Sequence, residues 1–215
     1  MKKGIQLLGT VALAAVLTAC FGNDAAMDMH EHLENAVEKE QVFQEQQSPL
    51  TEAEKQEHEL YDEMLTLTEV EEIEPLADEA IASAEERRAL IDNEKQSIDD
   101  AYEEFQEVEG HVSNLDEDVQ PAAEDMIAAM DARYEAYQEL YEEYNNTIDM
   151  DIELYEMIKR EELTIEELQE KHDEVNEAYD RINQLNTAFN KRTQEYNETK
   201  RAFYESADMG VEEPV

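Results

Sequence analysis

Between Leu168 and Phe203 the chain reads LQEKHDEVNEAYDRINQLNTAFNKRTQEYNETKRAF, and every seventh residue of this stretch is apolar or aromatic: Leu168, Val175, Ile182, Phe189, Tyr196 and Phe203. Seven residues nearly close two turns of α-helix, so this spacing lays a narrow stripe along one helix face that only partner helices can cover. The same repeat occurs twice upstream. One seam runs Ile127, Tyr134, Tyr141, Ile148 and Tyr155, accompanied by Ala123, Met130, Tyr137, Tyr144 and Ile158 and interrupted by the polar Asp151. Another runs Ala84, Ile91, Ile98, Phe105 and Val112, with Ala101, Val108 and Leu115 on the adjacent row. Scarce glycine (5), proline (4) and no tryptophan argue against a turn-rich β-sandwich or α/β fold. The reading is all-α: an elongated, rod-like up-and-down bundle of about four helices with coiled-coil-like packing, the three longest about 40 residues or ~60 Å each.

Breaks between the stripes set the helix ends. Glu71 to Pro75 reads as the end of one run, and the region Gly110 to Pro121, with Ser113, Asn114 and Asp116, separates the next two helices. Thr164-Ile165-Glu166-Glu167 has the form of a capping box, which implies a tight hairpin at Glu161 to Leu163. Upstream, Leu33, Val37 and Phe43 belong to one helical stretch and Ala53, Leu60, Met64 and Leu67 to another. Ser48-Pro49 and a second possible box at Thr51 to Glu54 predict that the first helix is kinked or split there.

The N-terminus carries an address. Lys2 and Lys3 precede an apolar run from Ile5 to Ala19, too short at 15 residues to span a bilayer, where ~20 are needed. Leu17-Thr18-Ala19-Cys20 resembles a bacterial lipobox and contains the only cysteine of the chain. The resemblance implies that the Cys20 thiol receives diacylglycerol through a thioether and that the peptide is cut at Ala19/Cys20. Residues 1–19 are then a signal peptide, 20–26 a short membrane-proximal tether, 27–207 the helical bundle and 208–215 a disordered tail. No thiol remains for a disulfide or redox site.

Charge excludes some partners. Loss of Lys2 and Lys3 with the signal leaves 14 basic against 58 acidic residues, a net charge of −44 with histidines neutral. A surface so acidic repels nucleic acid and anionic bilayers unless cations intervene. The carboxylates are spread along the chain and do not form a DxDxDG-type loop, so a solvated surface is favoured over cation capture.

The search for chemistry returns little. A di-iron bundle needs Glu-x-x-His, and the residue three before His30, His32, His58, His111 and His172 is never glutamate. His30 and His32 diverge by about 200° on a helix, and His172, on the seam side, reads as a hydrogen-bonded core or edge histidine. GxSxG, HExxH and Gly-rich phosphate loops are absent. The expectation is therefore no enzyme, no cofactor and no metal site. Tyr134, Tyr137, Tyr141 and Tyr144 could stack on sugar rings, although seam residues with hydroxyls at the rim are the preferred reading. One segment departs from the acidic background: Lys191, Arg192, Lys200 and Arg201 outnumber Glu195 and Glu198 between Leu185 and Tyr204. It is the candidate contact for an anionic wall polymer, with the alternative that these cations pair with neighbouring carboxylates.

The same segment, Phe189-Asn190-x-x-Thr193-x-x-Tyr196-Asn197-x-x-Lys200-x-x-Phe203-Tyr204, read with the lipobox at Cys20, resembles the cell-wall-binding lipoproteins of Gram-positive bacteria, the YkyA-like family. The resemblance covers the whole mature chain. It implies a lipid-anchored helical bundle on the outer face of the cytoplasmic membrane, in the cell-wall zone, without recognised catalytic residues. The partners it implies are the membrane, through the lipid on Cys20, and a wall polymer or envelope protein. The function expected is thus a non-enzymatic surface spacer or binding module, with an extracytoplasmic ligand- or cation-binding lipoprotein as the alternative.

Overall fold

The computed structural model describes residues 24–210. The signal peptide, the lipobox residues Leu17, Thr18 and Ala19, Cys20, and residues 211–215 of the expected tail lie outside the described residues. Six helices follow in order: α1 (Asp24–Lys39), α2 (Gln41–Met64), α3 (Val70–Gln106), the single turn α4 (Glu109–Val112), α5 (Gln120–Ile158) and α6 (Ile165–Ser206). Among the described residues there is no strand, and no helix is long and apolar enough to cross a membrane. The seven-residue stripes became the three long helices, with 37, 39 and 42 residues in α3, α5 and α6.

The chain divides into two compact units, each assembled from pieces of several helices. Unit one comprises Glu45–Lys95 and Glu139–Asn186; unit two comprises 24–44, Gln96–Gln138 and 187–210 within the described range. In unit one, the buried residues include the alanines at 77, 80 and 84 of α3, Tyr61, Tyr144 and Tyr155, and Ile91, Ile148, Leu154 and Ile182. In unit two, Met29 and Leu33 of α1 join Phe105, Val108, Met126, Met130, Phe203 and Tyr204 in one apolar cluster.

Several helix ends differ from the sequence expectation, and each difference has a physical cause. The first helix breaks at Glu40, not at Ser48-Pro49, and Pro49 lies inside α2. Ser97 of α3 makes the break: its hydroxyl donates to the Lys39 carbonyl at 2.6 Å and accepts the Phe43 amide at 3.3 Å, replacing the i to i−4 bond that would join those two groups. Thr51 caps nothing, because its hydroxyl donates to the Gln47 carbonyl one turn back within α2. The expected stop at Glu71 to Pro75 also fails. The turn comes earlier, at residues 65–69, and the Glu69 carbonyl accepts from the Glu72 and Ile73 amides, so Pro75 rides in the second turn of α3.

Other boundaries fall where the sequence puts them. Pro121 is the second residue of α5, where a missing N–H leaves no helix bond unmade. Thr164 caps α6: the Glu167 amide donates to Thr164 Oγ1 at 3.2 Å, and the Thr164 amide donates to Glu167 Oε2 at 3.0 Å. The last residues assigned to the tether belong to the fold, since α1 starts at Asp24 and both Ala25 and Ala26 are buried. Asp208 and Met209, assigned to the tail, likewise belong to the fold. Asp208 takes the left-handed conformation (φ 54°), its amide reaches the Glu205 carbonyl and the Met209 amide reaches the Tyr204 carbonyl, which is a Schellman ending. Met209 then packs on the unit-two cluster.

On α5 the second row is buried throughout, and the first row joins it only at Ile148 and Tyr155. Ala123, Met130, Tyr137, Tyr144 and Ile158, read as accompaniment, are buried together with Asp151, whereas Ile127, Tyr134 and Tyr141 are half-buried.

Candidate functional site

The row carrying Ala80 on α3 next presents, at intervals of seven, Arg87 and Glu94. Helical geometry therefore points a guanidinium into the core of unit one. Arg87 is 0% exposed and is met from three other helices. Its Nη2 bonds Asp151 of α5 and lies 3.1 Å from Glu57 Oε2 of α2, while Nη1 donates to the Tyr179 hydroxyl of α6 at 2.7 Å. Tyr179 in turn donates to Asp151 Oδ2 at 2.8 Å, Ser83 donates to Glu57 Oε1 at 3.2 Å, and Tyr144 donates to Glu54, itself 3.9 Å from Arg87.

Three carboxylates thus face one guanidinium. Burial pushes the Glu54 and Glu57 carboxyls up to about 7 against the pull of Arg87, and burial raises Asp151 too. For Arg87, burial opposes the charge, but Tyr179, Asp151 and the two glutamates outweigh it and hold the guanidinium ionised. Beside this layer is a pocket of about 50 Å³ whose wall includes Tyr61, Leu154, Tyr155, His172 and Val175 together with Glu57 and Asp151. His172 stacks on Tyr61 and its Nδ1 lies 3.2 Å from the Tyr61 hydroxyl, the hydrogen-bonded histidine anticipated from its place on the seam.

Unit two has a comparable layer. Arg133 is held bidentately by Glu40 at 2.7 and 2.9 Å, donates from Nε to Thr193 Oγ1 at 3.1 Å, and lies over the Phe189 ring. Glu104 collects Lys39 and His32, both at 2.8 Å, and these donors, Lys39 first, hold its carboxyl down at about 2. His30 turns instead to the Tyr204 hydroxyl at 3.1 Å, so the two histidines of the His30-Glu31-His32 triplet serve different partners. Among the described residues no group of three or more His, Cys, Asp or Glu is arranged to hold a metal ion.

Tyr134, Tyr137, Tyr141 and Tyr144 of α5 are seam residues. Tyr137 is 1% exposed between Phe43 and Phe189, Tyr134 stacks on Tyr102 and donates to Asp99, and Tyr141 donates to Asp92.

The basic segment of α6 does not act as one patch. Lys200 is corrected outright: it is 4% exposed, with Nζ 3.7 Å from Glu34 and over the Tyr204 ring, and burial lowers its pKa. Thr193, Lys200 and Ala207 form a row inside the core, so this lysine cannot meet a polymer. Lys191, Arg192 and Arg201 are exposed. At about 100° per residue, Lys191 points opposite to Lys200, with Arg192 and Arg201 on the two flanks. Lys191 and Arg192 both reach Glu195, at 3.3 and 2.7 Å.

The charged layers are what sequence reasoning missed. The signal was available as position: on the first two helices Met29, Ala36, Phe43, Leu50, Glu57 and Met64 recur every seven residues, and a glutamate on such a row is inside.

A family model described as "Putative cell-wall binding lipoprotein", YkyA, matches residues 24–206. The chain is 30% identical over 175 residues to the "Uncharacterized lipoprotein YkyA" of Bacillus subtilis (strain 168), covering 80% of this chain and 78% of that one. Its fold is similar to the 1.6 Å crystal structure of a conserved protein of unknown function from Staphylococcus aureus, with TM-score 0.60 and 13% identity over 86% of this chain and 98% of that one.

Proposed function

The chain belongs to the YkyA lipoprotein family, and from that premise we propose that it is a non-enzymatic protein, anchored by diacylglycerol on Cys20 to the outer face of the cytoplasmic membrane, that associates with the cell wall. The observation that carries the non-catalytic part is the spending of cations: Arg87, Arg133 and Lys200 are all buried against carboxylates, as parts of the packing. Wall contact then falls to the outer surface, where carboxylates predominate and Lys191, Arg192 and Arg201 are the exposed cations of the α6 segment. Because those three point in different directions and two already share Glu195, divalent cations bridge the acidic surface to an anionic wall polymer in this reading.

Sedimentation with purified wall sacculi tests it. Pelleting should require millimolar Mg²⁺, be reversed by a chelator, and persist in the charge-reversed K191E/R192E/R201E chain. Pelleting in chelator that disappears in the triple variant would put the contact on the α6 cations instead. Cys20→Ser should release the protein from membranes or leave its signal uncleaved; retention of a processed variant at wild-type levels would sink the anchor.

A further inference from the structure

Two histidines of unit two come together where the single turn α4 lies against α1. The rings of His32 and His111 stand 5.5 Å apart between centres, tilted by 42°, and each side chain is 27% exposed. On both rings Nδ1 meets a carboxylate: His32 Nδ1 lies 2.8 Å from Glu104 Oε1, and His111 Nδ1 lies 3.6 Å from Asp28 Oδ2. A carboxylate at Nδ1 holds the ring proton there and leaves the lone pair of the neutral imidazole on Nε2. Glu104 is suited to this, since Lys39 and His32 hold its carboxyl down at about 2 and keep it ionised. Among the described residues neither Nε2 has a hydrogen-bond or ion-pair partner.

This arrangement is the outer half of a metal site. A ligating imidazole gives its other N–H to a carboxylate, which fixes the tautomer and makes the free nitrogen more basic. Ring spacing fits the inner half. With Zn–N near 2.1 Å and roughly 1.1 Å from nitrogen to ring centre, two imidazoles on one tetrahedral ion have centres about 5.2 Å apart. Imidazole nitrogen selects zinc and its neighbours among the transition metals, whereas magnesium and calcium prefer oxygen. The local charge also favours a cation, because Asp28 and Glu104 are two carboxylates against the one ammonium of Lys39. His30 stays out, turned to the Tyr204 hydroxyl. Two protein ligands leave the other positions to water, and no third His, Cys, Asp or Glu is required of the fold.

We propose that His32 and His111 bind one zinc ion through their Nε2 atoms, tying α4 to α1, with Glu104 and Asp28 on the outer nitrogens. The site is separable from wall association bridged by magnesium, since one uses imidazole and the other surface carboxylates.

The test is calorimetric titration of the full-length chain in detergent with zinc chloride at pH 7, in millimolar magnesium chloride to occupy the surface carboxylates. One zinc per chain is expected, and ring nitrogen NMR should show Nε2 of two of the five histidines shifting as it binds. His32→Ala and His111→Ala should each weaken binding at least tenfold and remove one of the two shifting rings, while His58→Ala, on α2 in unit one, should leave both readouts unchanged. Circular dichroism reports whether each variant keeps its helices, and His111→Ala decides alone if His32→Ala, which strips a partner from Glu104, does not fold. Absence of saturable binding in magnesium, unchanged affinity in folded His111→Ala, or zinc shifts on rings other than these two would each overturn the assignment.

Discussion

Arg87 offers the sharpest test of what a buried charge does in this core. Its guanidinium bonds Asp151 and Tyr179 and stands 3.1 Å from Glu57, so removing it strands carboxylates that water cannot reach. Truncating one side of such a network costs about 3–5 kcal/mol. Arg87→Met should therefore lose stability on that scale in denaturant unfolding. The loss should also be smaller at pH 5 than at pH 8, because Glu54 and Glu57, already pushed up to about 7, can take protons and become neutral. A loss independent of pH would mean that the glutamates do not feel the missing charge. Position, not residue type, made Arg87 readable: it falls seven residues from Ala80 and from Glu94 on a buried row. Lys200 repeats the lesson, seven residues after Thr193 and seven before Ala207. Grouping it with Lys191 and Arg192 by charge alone mistook an interior residue for a surface one.

Helix ends were legible where their causes are local. Thr164, Glu167 and the chain between them hold every part of a capping box within one turn. Thr164→Ala should cost about 1 kcal/mol, and pairing it with Glu167→Ala should cost less than the sum of the two single changes, since each residue's bond depends on the other. Additive losses in a thermal double-mutant cycle would show that the two bonds act independently. The long helices were legible for a related reason: a seven-residue stripe of apolar side chains lies within a single segment. The break at Glu40 was not legible, because the group that makes it, Ser97, lies on α3, more than fifty residues away in sequence. Pro49 and Pro75 misled in the opposite direction. A proline removes one helix bond at a cost of about 3 kcal/mol, and burial of Leu50 and Met64 on one side and of Ile73 and Ala77 on the other outweighs it.

Across the whole molecule, protons and packing are coupled with opposite signs in the two units. In unit one, Glu54 and Glu57 sit at about 7, above their ordinary 4.5, so the folded state binds more protons and their contribution, complete below 4.5, is lost as pH rises through 7. In unit two, Glu104 sits at about 2, so its contribution is present above 4.5 and lost as pH falls toward 2. His30, lowered mainly by burial, opposes the two glutamates but is one group against two. Thermal melting should therefore peak near pH 5 and decline toward pH 8, and the double change E54Q/E57Q should flatten that decline. A flat wild-type profile from pH 5 to 8 would refute it. The Arg87 layer has one more consequence, for alignment. Apolar rows that repeat every seven residues look alike after a slide of two turns, so grease alone would let α5 settle one repeat too high or too low in unit one. Either slip would set Tyr144 or Ile158 where Asp151 belongs and leave Arg87 without its acid. Replacing Glu54, Glu57, Arg87 and Asp151 together by leucine or methionine should raise the melting temperature, as dry substitutes for buried ion pairs often do by about 1–4 kcal/mol. Distances between spin labels on α3 and α5 should then split into more than one population: the charges work as the notch of a ratchet, trading some stability for a single stopping point.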